Sequence, residues 1–305
     1  MLSLNSPLVI DAEHAAKSIE KSIRQLLDTH SAEGVIIGLS GGIDSAVLTT
    51  LAVRALGTEA VHTYHLYDRD SEKRSRRNAL LMADWLGLEL KLHNISPAMH
   101  EKRLYSPLIM RLTAVSGFVN RHLNARLHRL FHGELPFVST LREPSLRVGK
   151  IKRFFYKNTV GCVEAAFSAR HIYRRRFLEE RAAEANCLVL GAANRSECMV
   201  GWFVKDGIDD MPFSPIAGLY KTQVCELAKY LGLPGRIRNQ SPSPDMVKGI
   251  TDEHAMGISY AKLDIILHGF DKNLSDEEIT AFGVSLSQIR HVRRLHELSA
   301  WKRTA

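Results

Sequence analysis

Short apolar runs alternate with helical patterns along most of this chain, and that alternation limits its fold more than any other feature. Four apolar runs have the length of buried strands, and we predict strands at 35–39, 60–66, 88–92 and 187–190. Apolar residues at helical spacing predict helices at 11–29, 44–55, 162–185 and 221–230, and one that ends at Gly87 with Leu80, Leu81, Ala83 and Leu86 on one side. Strands that alternate with helices predict an α/β fold, a doubly wound and mostly parallel sheet with helices on both faces.

One stretch, at about 98–160, has no clear pattern and is too long for a plain connection. We therefore predict a single α/β domain at 1–270, interrupted there by an inserted, basic subregion whose 110–117 and 118–131 portions are expected to be helical. Residues 271–305 are predicted to form a C-terminal helical extension.

The chain carries a formal net charge of +8, and the excess lies in that subregion. Residues 100–160 hold 12 basic and three acidic side chains, a net charge of +9, so the remainder is close to neutral at −1. Clustered Lys and Arg side chains attract anionic partners. We expect the subregion to bind a second anionic substrate, to contact another subunit, or to be a solvated face.

Composition and cysteine spacing exclude several classes of protein. Hydrophobic residues make up 45% of the chain and charged residues 24%, as in globular proteins, and no run approaches the roughly 18 apolar residues that a membrane-spanning helix needs. The N-terminal residues lack the basic and apolar regions of a secretory signal. No two of the cysteines lie close together in the sequence, which argues against a disulfide framework or a zinc site; they are Cys162, Cys187, Cys198 and Cys225. This spacing predicts a location in the reducing cytoplasm.

The strongest local motif is a turn with two glycines, from Ser40 to Ser45, between a predicted strand and a predicted helix. Gly41 and Gly42 can adopt positive φ and let the backbone approach a ligand closely. Such a turn presents backbone N–H groups and the positive end of a helix dipole, which suits a phosphate, and Ser40 and Ser45 add hydroxyl donors. A carboxylate repels phosphate, so Asp44 fits this phosphate site only if Mg2+ lies between its carboxylate and the phosphates. The alternative is a capped glycine turn that binds no ligand.

The sequence of residues 40–45, SGGIDS, resembles the pyrophosphatase-type loop (PP-loop) of ATP-dependent adenylating enzymes, among them NAD, GMP and asparagine synthetases and tRNA thiolation enzymes. These enzymes cleave ATP between its α and β phosphates and leave AMP on an acceptor oxygen. Four later segments, at 188–197, 200–205, 215–224 and 251–264, are similar to sequence blocks of the NAD synthetases, in the same order. The resemblance covers most of residues 34–270, outside the inserted subregion, and implies an adenine nucleotide alpha hydrolase-like fold.

The resemblance also assigns roles to individual residues. Asp44 and Glu197 correspond to Mg2+ ligands, and Lys205 and Lys221 to cations near the ATP phosphates, where transfer of the adenylyl group develops negative charge. Asp44, Lys205 and Lys221 are therefore the predicted catalytic residues, and Arg170 joins the two lysines and the turn in the predicted nucleotide site. The alternatives are a surface or capping role for Glu197, a solvated Lys221, and a solvated basic face around Arg170.

The reaction that the resemblance implies is an ATP-dependent amide synthesis. The carboxylate of nicotinic acid adenine dinucleotide attacks the α-phosphate of ATP, and ammonia then displaces AMP to give NAD, with Mg2+ as the metal. The family also implies a homodimer. The sequence has no glutaminase segment with a catalytic cysteine, so the nitrogen is expected as free ammonia or from a separate glutaminase.

Departures from the family pattern affect the identity of the acid. Ile208 and Pro212 stand where NAD synthetases carry aspartates near the nicotinate-bearing substrate, although Asp209 and Asp210 can substitute from a shifted loop. Three alternatives stay open: a NAD synthetase-like ligase that amidates a different carboxylate, a PP-loop enzyme that thiolates RNA, and a nucleotide-binding regulator without catalysis. The RNA alternative is less favoured than either ligase, because the chain lacks paired cysteines for sulfur transfer.

Overall fold

The computed structural model describes residues 7–107, 110, 125–142, 156–157, 159–243 and 249–304. The helices within these ranges are α1 (Ala12–His30), α2 (Ile43–Leu56), α3 (Lys73–Leu86), α4 (Ser96–Glu101), α5 (Ala125–His132), α6 (Pro136–Thr140), α7 (Val160–Glu184), α8 (Arg195–Val200), α9 (Lys221–Tyr230), α10 (Gly235–Arg238), α11 (Asp252–Met256), α12 (Tyr260–Asp271), α13 (Asp276–Thr280), α14 (Leu286–Leu298) and α15 (Ala300–Arg303). Across the described ranges, no helix combines the length and apolar character needed to cross a membrane.

Four parallel strands form the central sheet: β1 (Gly34–Gly38), β2 (Val61–Tyr67), β3 (Leu90–Asn94) and β4 (Cys187–Leu190). Their order across the sheet is β3-β2-β1-β4. The chain runs outward from β1 to β3 and then returns to place β4 on the other side of β1. The order therefore reverses between β1 and β4, and a crevice at such a reversal is where parallel α/β sheets bind ligands.

Side chains of β1 alternate between two hydrophobic layers. Val35 and Ile37 pack in a core with residues of α1, α2, α3 and α9. Ile36 points to the opposite face and packs with Leu178 and Ala182 of α7. Helices thus cover both faces of a parallel sheet, and the predicted doubly wound α/β fold is confirmed.

The predicted face of α3 is partly wrong. Leu80 is 44% exposed, whereas Ala79, Met82 and Ala83 are buried against the sheet. Residues three and four apart share a helix face, so a core that takes Ala79, Met82 and Ala83 leaves the side chain after Ala79 turned away. The end of this helix at Gly87, in left-handed conformation, is as predicted.

A second hydrophobic core lies beside the sheet and joins distant parts of the chain. Phe137 and Leu141, within the predicted insertion, pack there with Leu263 of α12 and with Ile289 and Leu295 of α14. The described part of the insertion is therefore not only a solvated face. Arg126 and Arg129 of α5 are exposed, while most of the predicted helices at 110–117 and 118–131, and the basic residues Lys150, Lys152 and Arg153, lie outside the described residues.

Candidate active site

A cavity of about 870 Å³ opens at the carboxyl ends of β1 and β4. The turn that follows β1 and the helix that follows β4 both contribute to its wall, together with residues of α7, α9 and α11. This is the crevice expected where the strand order reverses. The predicted turn residues Ser40, Gly41, Gly42, Asp44 and Ser45 all line it.

The turn requires glycine at Gly41. Its φ is +85°, and a Cβ atom there would lie 2.2 Å from the carbonyl oxygen of Ser75. The hydroxyls of Ser40 and Ser45 lie 2.9 Å apart, and Ser40 Oγ also accepts from the backbone N–H of Gly42 at 3.1 Å. In this arrangement the two serines hold the shape of the turn, and both line the cavity. Their role as donors to a phosphate stays a prediction.

Residues far away in the sequence support the turn from outside. Gln240 Nε2 donates to the carbonyl oxygen of Gly41 at 2.7 Å, and Asn78 Nδ2 donates to Gln240 Oε1 at 2.9 Å. Neither residue was predicted from the sequence. An isolated Asn and Gln, in segments without a motif, give no local signal of such contacts.

Lys221 lies at the centre of an acidic cluster in the cavity wall. It is the first residue of α9 and only 3% exposed, and its Nζ atom forms ion pairs with Asp44 and, at 3.3 Å, with Glu197. Lys221 is therefore not a solvated lysine, and Glu197 is not a carboxylate on the outer surface. Three residues predicted to act together, from segments up to 177 positions apart, do meet in space.

Asn194 connects the end of β4 to the turn after β1. Its Oδ1 atom caps α8 by accepting from the N–H of Glu197 at 3.1 Å, and its Nδ2 atom donates to Asp44 Oδ1 at 2.9 Å. An Asn followed three residues later by Glu is a typical helix start, so the cap could have been predicted from the sequence. The contact with Asp44 could not, because it joins segments far apart in the chain.

A buried serine and aspartate hold α8, α9 and α12 together beneath the cluster. Ser196 Oγ accepts from the backbone N–H of Lys221 at 2.8 Å and donates to Asp264 at 2.5 Å. The other Asp264 oxygen accepts from the N–H of Thr222 at 2.8 Å. These bonds fix the start of α9, and with it Lys221, relative to Glu197.

Asp252 and Tyr260 extend the cluster and were not predicted as site residues. The Tyr260 hydroxyl lies 3.1 Å from Asp252 Oδ2 and 3.4 Å from Glu197 Oε1. Burial raises the pKa of Glu197 to about 8 and that of Asp252 to about 6, against the opposing charge of Lys221. Burial alone would lower the pKa of Lys221, but the neighbouring carboxylates, led by Asp44, raise it above its usual value.

The donors in this cluster suit Mg2+. Carboxylate oxygens are hard ligands, and a divalent cation beside Asp44 and Glu197 would favour the ionised form of Glu197, whose pKa burial raises. Within the described residues, no three His, Cys, Asp or Glu side chains converge in metal-binding geometry. Mg2+ usually takes only one or two protein carboxylates and keeps water or phosphate oxygens, so Asp44 and Glu197 remain its predicted ligands.

The two other predicted cations lie apart from this cluster. Lys205 lines the cavity, and its Nζ atom donates to the carbonyl oxygen of Thr304 at 2.8 Å. Arg170 is only 1% exposed and pairs with Asp68 at 3.0 Å and Asp70 at 2.6 Å, so the solvated basic face is wrong for this residue. Arg170 is not among the cavity-lining residues. Its contact with the nucleotide stays a prediction.

A glycine turn at the reversal point of a parallel sheet, open to a large cavity with an acidic cluster, defines an α/β protein of the nucleotide-binding class. The chain belongs to the NAD synthase family, whose model matches residues 15–131 and 147–305. The resemblance stated from the sequence is confirmed. The match runs through most of the predicted insertion, so the expectation that the whole subregion lies outside the family is wrong, and 132–146 is the internal segment left unmatched.

Similar proteins agree with this assignment. An NH3-dependent NAD+ synthetase of Thermotoga maritima is 34% identical over 285 residues, which cover 93% of this chain and 94% of the relative. Among solved structures, an NMN synthetase from Francisella tularensis aligns with a TM-score of 0.70 and 23% identity, over 97% of this chain and 98% of its own. An NH3-dependent NAD synthetase from Campylobacter jejuni aligns with a TM-score of 0.65 and 22% identity, over the same shares of both chains. These two structures show the shared fold.

Proposed function

We propose that this chain is an ATP-dependent, carbon–nitrogen bond-forming ligase that makes NAD from nicotinic acid adenine dinucleotide and ammonia. The observation that carries the proposal is the meeting of Asp44, Glu197 and Lys221 beside the glycine turn. Membership of the NAD synthase family and the activity named for the Thermotoga maritima relative support it. Nothing in that family assignment favours the RNA-thiolating alternative.

The turn and the start of α2 supply the phosphate-binding part of the mechanism. Backbone N–H groups of a helix N-terminus attract the oxygens of a triphosphate. Mg2+, bound at Asp44 and Glu197, would neutralise charge on the pyrophosphate. The Lys221 ammonium, fixed between the same carboxylates, stabilises the charge that develops as the acid oxygen bonds to the α-phosphorus and the bond to pyrophosphate breaks.

A different carboxylate substrate is the second candidate, and two observations favour it. Ile208, in place of a family aspartate, lines the cavity and packs against Gly38, so an apolar group occupies this part of the wall. The unmatched segment 132–146 contributes Phe137 and Thr140 to the same wall. A site that lacks a charged contact selects its substrate differently from one that has it.

Several features of the whole protein are part of the proposal. A homodimer is implied by the family, and the nitrogen is expected as free ammonia or from a separate glutaminase. The domain limits, 1–270 with an extension at 271–305, also remain a proposal. All four cysteines are free thiols of intermediate exposure, which is consistent with the expected cytoplasmic location.

The experiment is a product assay with ATP, Mg2+, ammonium and a panel of carboxylic acids. When nicotinic acid adenine dinucleotide is the acid, we expect pyrophosphate, AMP and amide in equal amounts. The amide formed should be NAD. Equal amounts of the three products with another acid alone would select the second candidate. Release of ADP and phosphate, or no acid-dependent turnover with any member of the panel, would contradict the proposed ligase.

A further inference from the structure

The exposed surface at the start of α3 is strongly basic. Four of the first five residues of this helix carry a positive charge and are exposed; they are Lys73, Arg74, Arg76 and Arg77. The first turn holds no acidic residue, and the N-cap residue Glu72 makes no side-chain capping hydrogen bond. These four residues, the basic start of α3, lie outside the inserted subregion at about 98–160.

The interactions within a helix disfavour this arrangement. The N-terminus carries the positive end of the helix dipole, which favours acidic side chains there, and like charges three or four residues apart repel each other. Lys73 has this spacing from both Arg76 and Arg77. The charges therefore lower the stability of α3, and folding does not account for them.

The acidic residues nearest in the sequence do not neutralise the basic start of α3. Glu72 pairs with Arg74 at 3.2 Å, and Asp70 pairs instead with the buried Arg170 at 2.6 Å. Among the described residues, the other three members of the basic start form no ion pair. Three positive charges are therefore left to attract an anion from solution.

The basic start of α3 borders the cavity beside the glycine turn. The carbonyl oxygen of Ser75 would lie 2.2 Å from a Cβ atom on Gly41, so α3 begins directly against the turn. Arg74 and Ser75 line the cavity, whereas Lys73 and Arg77 do not. An anion that is drawn to this surface therefore arrives at the cavity next to the turn.

A buried histidine in the same part of the cavity wall indicates which anion fits. His65 of β2 lines the cavity, is only 3% exposed, and is close enough to Arg76 for the arginine charge to affect it. Its Nδ1 atom donates to the carbonyl oxygen of Leu39 at 2.9 Å, and its Nε2 atom has no hydrogen-bond partner among the described residues. Burial lowers the pKa of His65, so Nε2 presents a lone pair.

The lone pair of His65 requires a donor, because leaving a buried polar atom unpaired costs free energy. A fully ionised phosphate offers only acceptors. A nucleotide offers amino and hydroxyl donors in addition to its charged phosphates. The combination of a neutral buried acceptor with an exposed basic surface therefore favours a nucleotide over a simple anion.

We propose that the basic start of α3 is a capture surface for MgATP, which it draws from solution toward the cavity and the glycine turn. This inference deepens the proposed function and rests on it for the identity of the nucleotide. Lys73 and Arg77 act at a distance through their charge, since they do not line the cavity. Such charges raise the rate of association more than they slow dissociation, and salt screens them.

The test follows the binding of MgATP to the full chain by stopped flow, with tryptophan fluorescence as the signal, because Trp202 and Trp301 line the cavity. The α3 variant is the double substitution Lys73→Gln and Arg77→Gln, which removes two charges that lie outside the cavity wall. Association and dissociation rate constants are measured between about 20 and 500 mM salt.

Two controls isolate the effect of charge at this position. The α1 variant, Lys17→Gln with Lys21→Gln, removes the same charge from exposed positions of a helix that contributes no residue to the cavity wall. Adenosine has the base and ribose of ATP without its charge, so its affinity should depend neither on the variant nor on salt.

At about 20 mM salt we expect the α3 variant to bind MgATP about 5–10-fold more slowly than the unchanged chain, with dissociation changed by less than about twofold. At about 500 mM salt the two association rates should agree within about twofold. The α1 variant should match the unchanged chain. The α3 variant should unfold at an equal or higher temperature, whereas a structural role for these charges would lower it.

Equal association rates for the α3 variant and the unchanged chain at low salt, or a loss that persists at high salt, would overturn the inference. So would a loss of salt-sensitive tRNA binding in the α3 variant with MgATP association unchanged, which would make this surface a nucleic-acid site. Failure of the proposed function is a separate result: MgATP would still bind at a salt-dependent rate, but no acid would yield an amide and pyrophosphate.

Discussion

Single side chains in this protein take their roles from what surrounds them, as Lys221 and Arg170 illustrate. Both are long, basic residues on helices, and both are buried. Lys221 joins the carboxylates of Asp44 and Glu197 in the cavity wall, whereas Arg170 joins those of Asp68 and Asp70 away from it. Burying a charge is costly unless it is paired, so each position depends on its carboxylates.

Replacing Lys221 with methionine tests this dependence. The substitution keeps an unbranched side chain but leaves Asp44, Glu197 and Asp252 without their ammonium. We expect the free energy of unfolding to fall by about 3–5 kcal/mol, the cost of breaking a buried ion pair from one side. Urea unfolding followed by circular dichroism measures the change.

The matched control is Lys17→Met, which removes an exposed lysine that pairs with Glu13 one turn away on α1. Exposed pairs of this kind contribute little, so its unfolding midpoint should be unchanged. A Lys221→Met protein as stable as the native chain would show that the cluster does not need its cation.

Among the secondary structure elements, the turn between β1 and α2 is the most demanding. Its sequence predicted the position of the turn, because glycine, serine and aspartate have strong local preferences. The supports from Gln240 and Asn78 could not be predicted in this way, since they depend on how distant segments pack.

Gly41→Ala should disable the turn. A Cβ atom at φ +85° would lie 2.2 Å from the backbone oxygen of Ser75, so the turn must shift. We expect acid-dependent release of pyrophosphate to be lost and the thermal midpoint to fall. Both effects are measured on the purified variant.

Gly57→Ala is the control for backbone strain alone. Its φ is +83°, but nothing lies within 4 Å of the added Cβ atom. This conformation, with ψ at 169°, is essentially confined to glycine and costs another residue about 1–3 kcal/mol, so stability should fall modestly and pyrophosphate release should be unchanged. Equal behaviour of the two variants would contradict the view that close packing on Ser75 shapes the turn.

At the scale of the whole molecule, residues from the clusters on both faces of the sheet and from the second core contribute to the wall of the cavity. The strands and long helices of the sheet core were predictable, because short apolar runs and the 3.6-residue period of helices can be recognised directly in the sequence. The second core was not, since Phe137, Leu263 and Ile289 come together from short helices far apart in sequence. The cavity wall follows the same division: local motifs predicted the turn and the acidic residues beside it, whereas the contacts of Asp252 and Tyr260 with that cluster required the packed structure.

Ile289→Ala tests whether this second core folds with the sheet. The side chain is fully buried among residues of the other helices, so we expect the free energy of unfolding to fall by about 2–5 kcal/mol within a single transition. Fluorescence and circular dichroism in urea should report the same midpoint. Leu286→Ala, at a position that is 44% exposed on the same helix, should change little. A separate early transition in the Ile289→Ala chain would show that the C-terminal helices unfold on their own.

The central claim is that the turn after β1 and its acidic cluster split ATP at the α-phosphate to activate an acid. The most direct measurement is acid-dependent exchange of pyrophosphate into ATP by the Asp44→Asn chain, with Asp84→Asn, an exposed aspartate of α3, as the control. We expect Asp44→Asn to stay folded and to lose at least about 100-fold in exchange, with Asp84→Asn unchanged. A folded Asp44→Asn chain that exchanges pyrophosphate at the native rate would contradict the account.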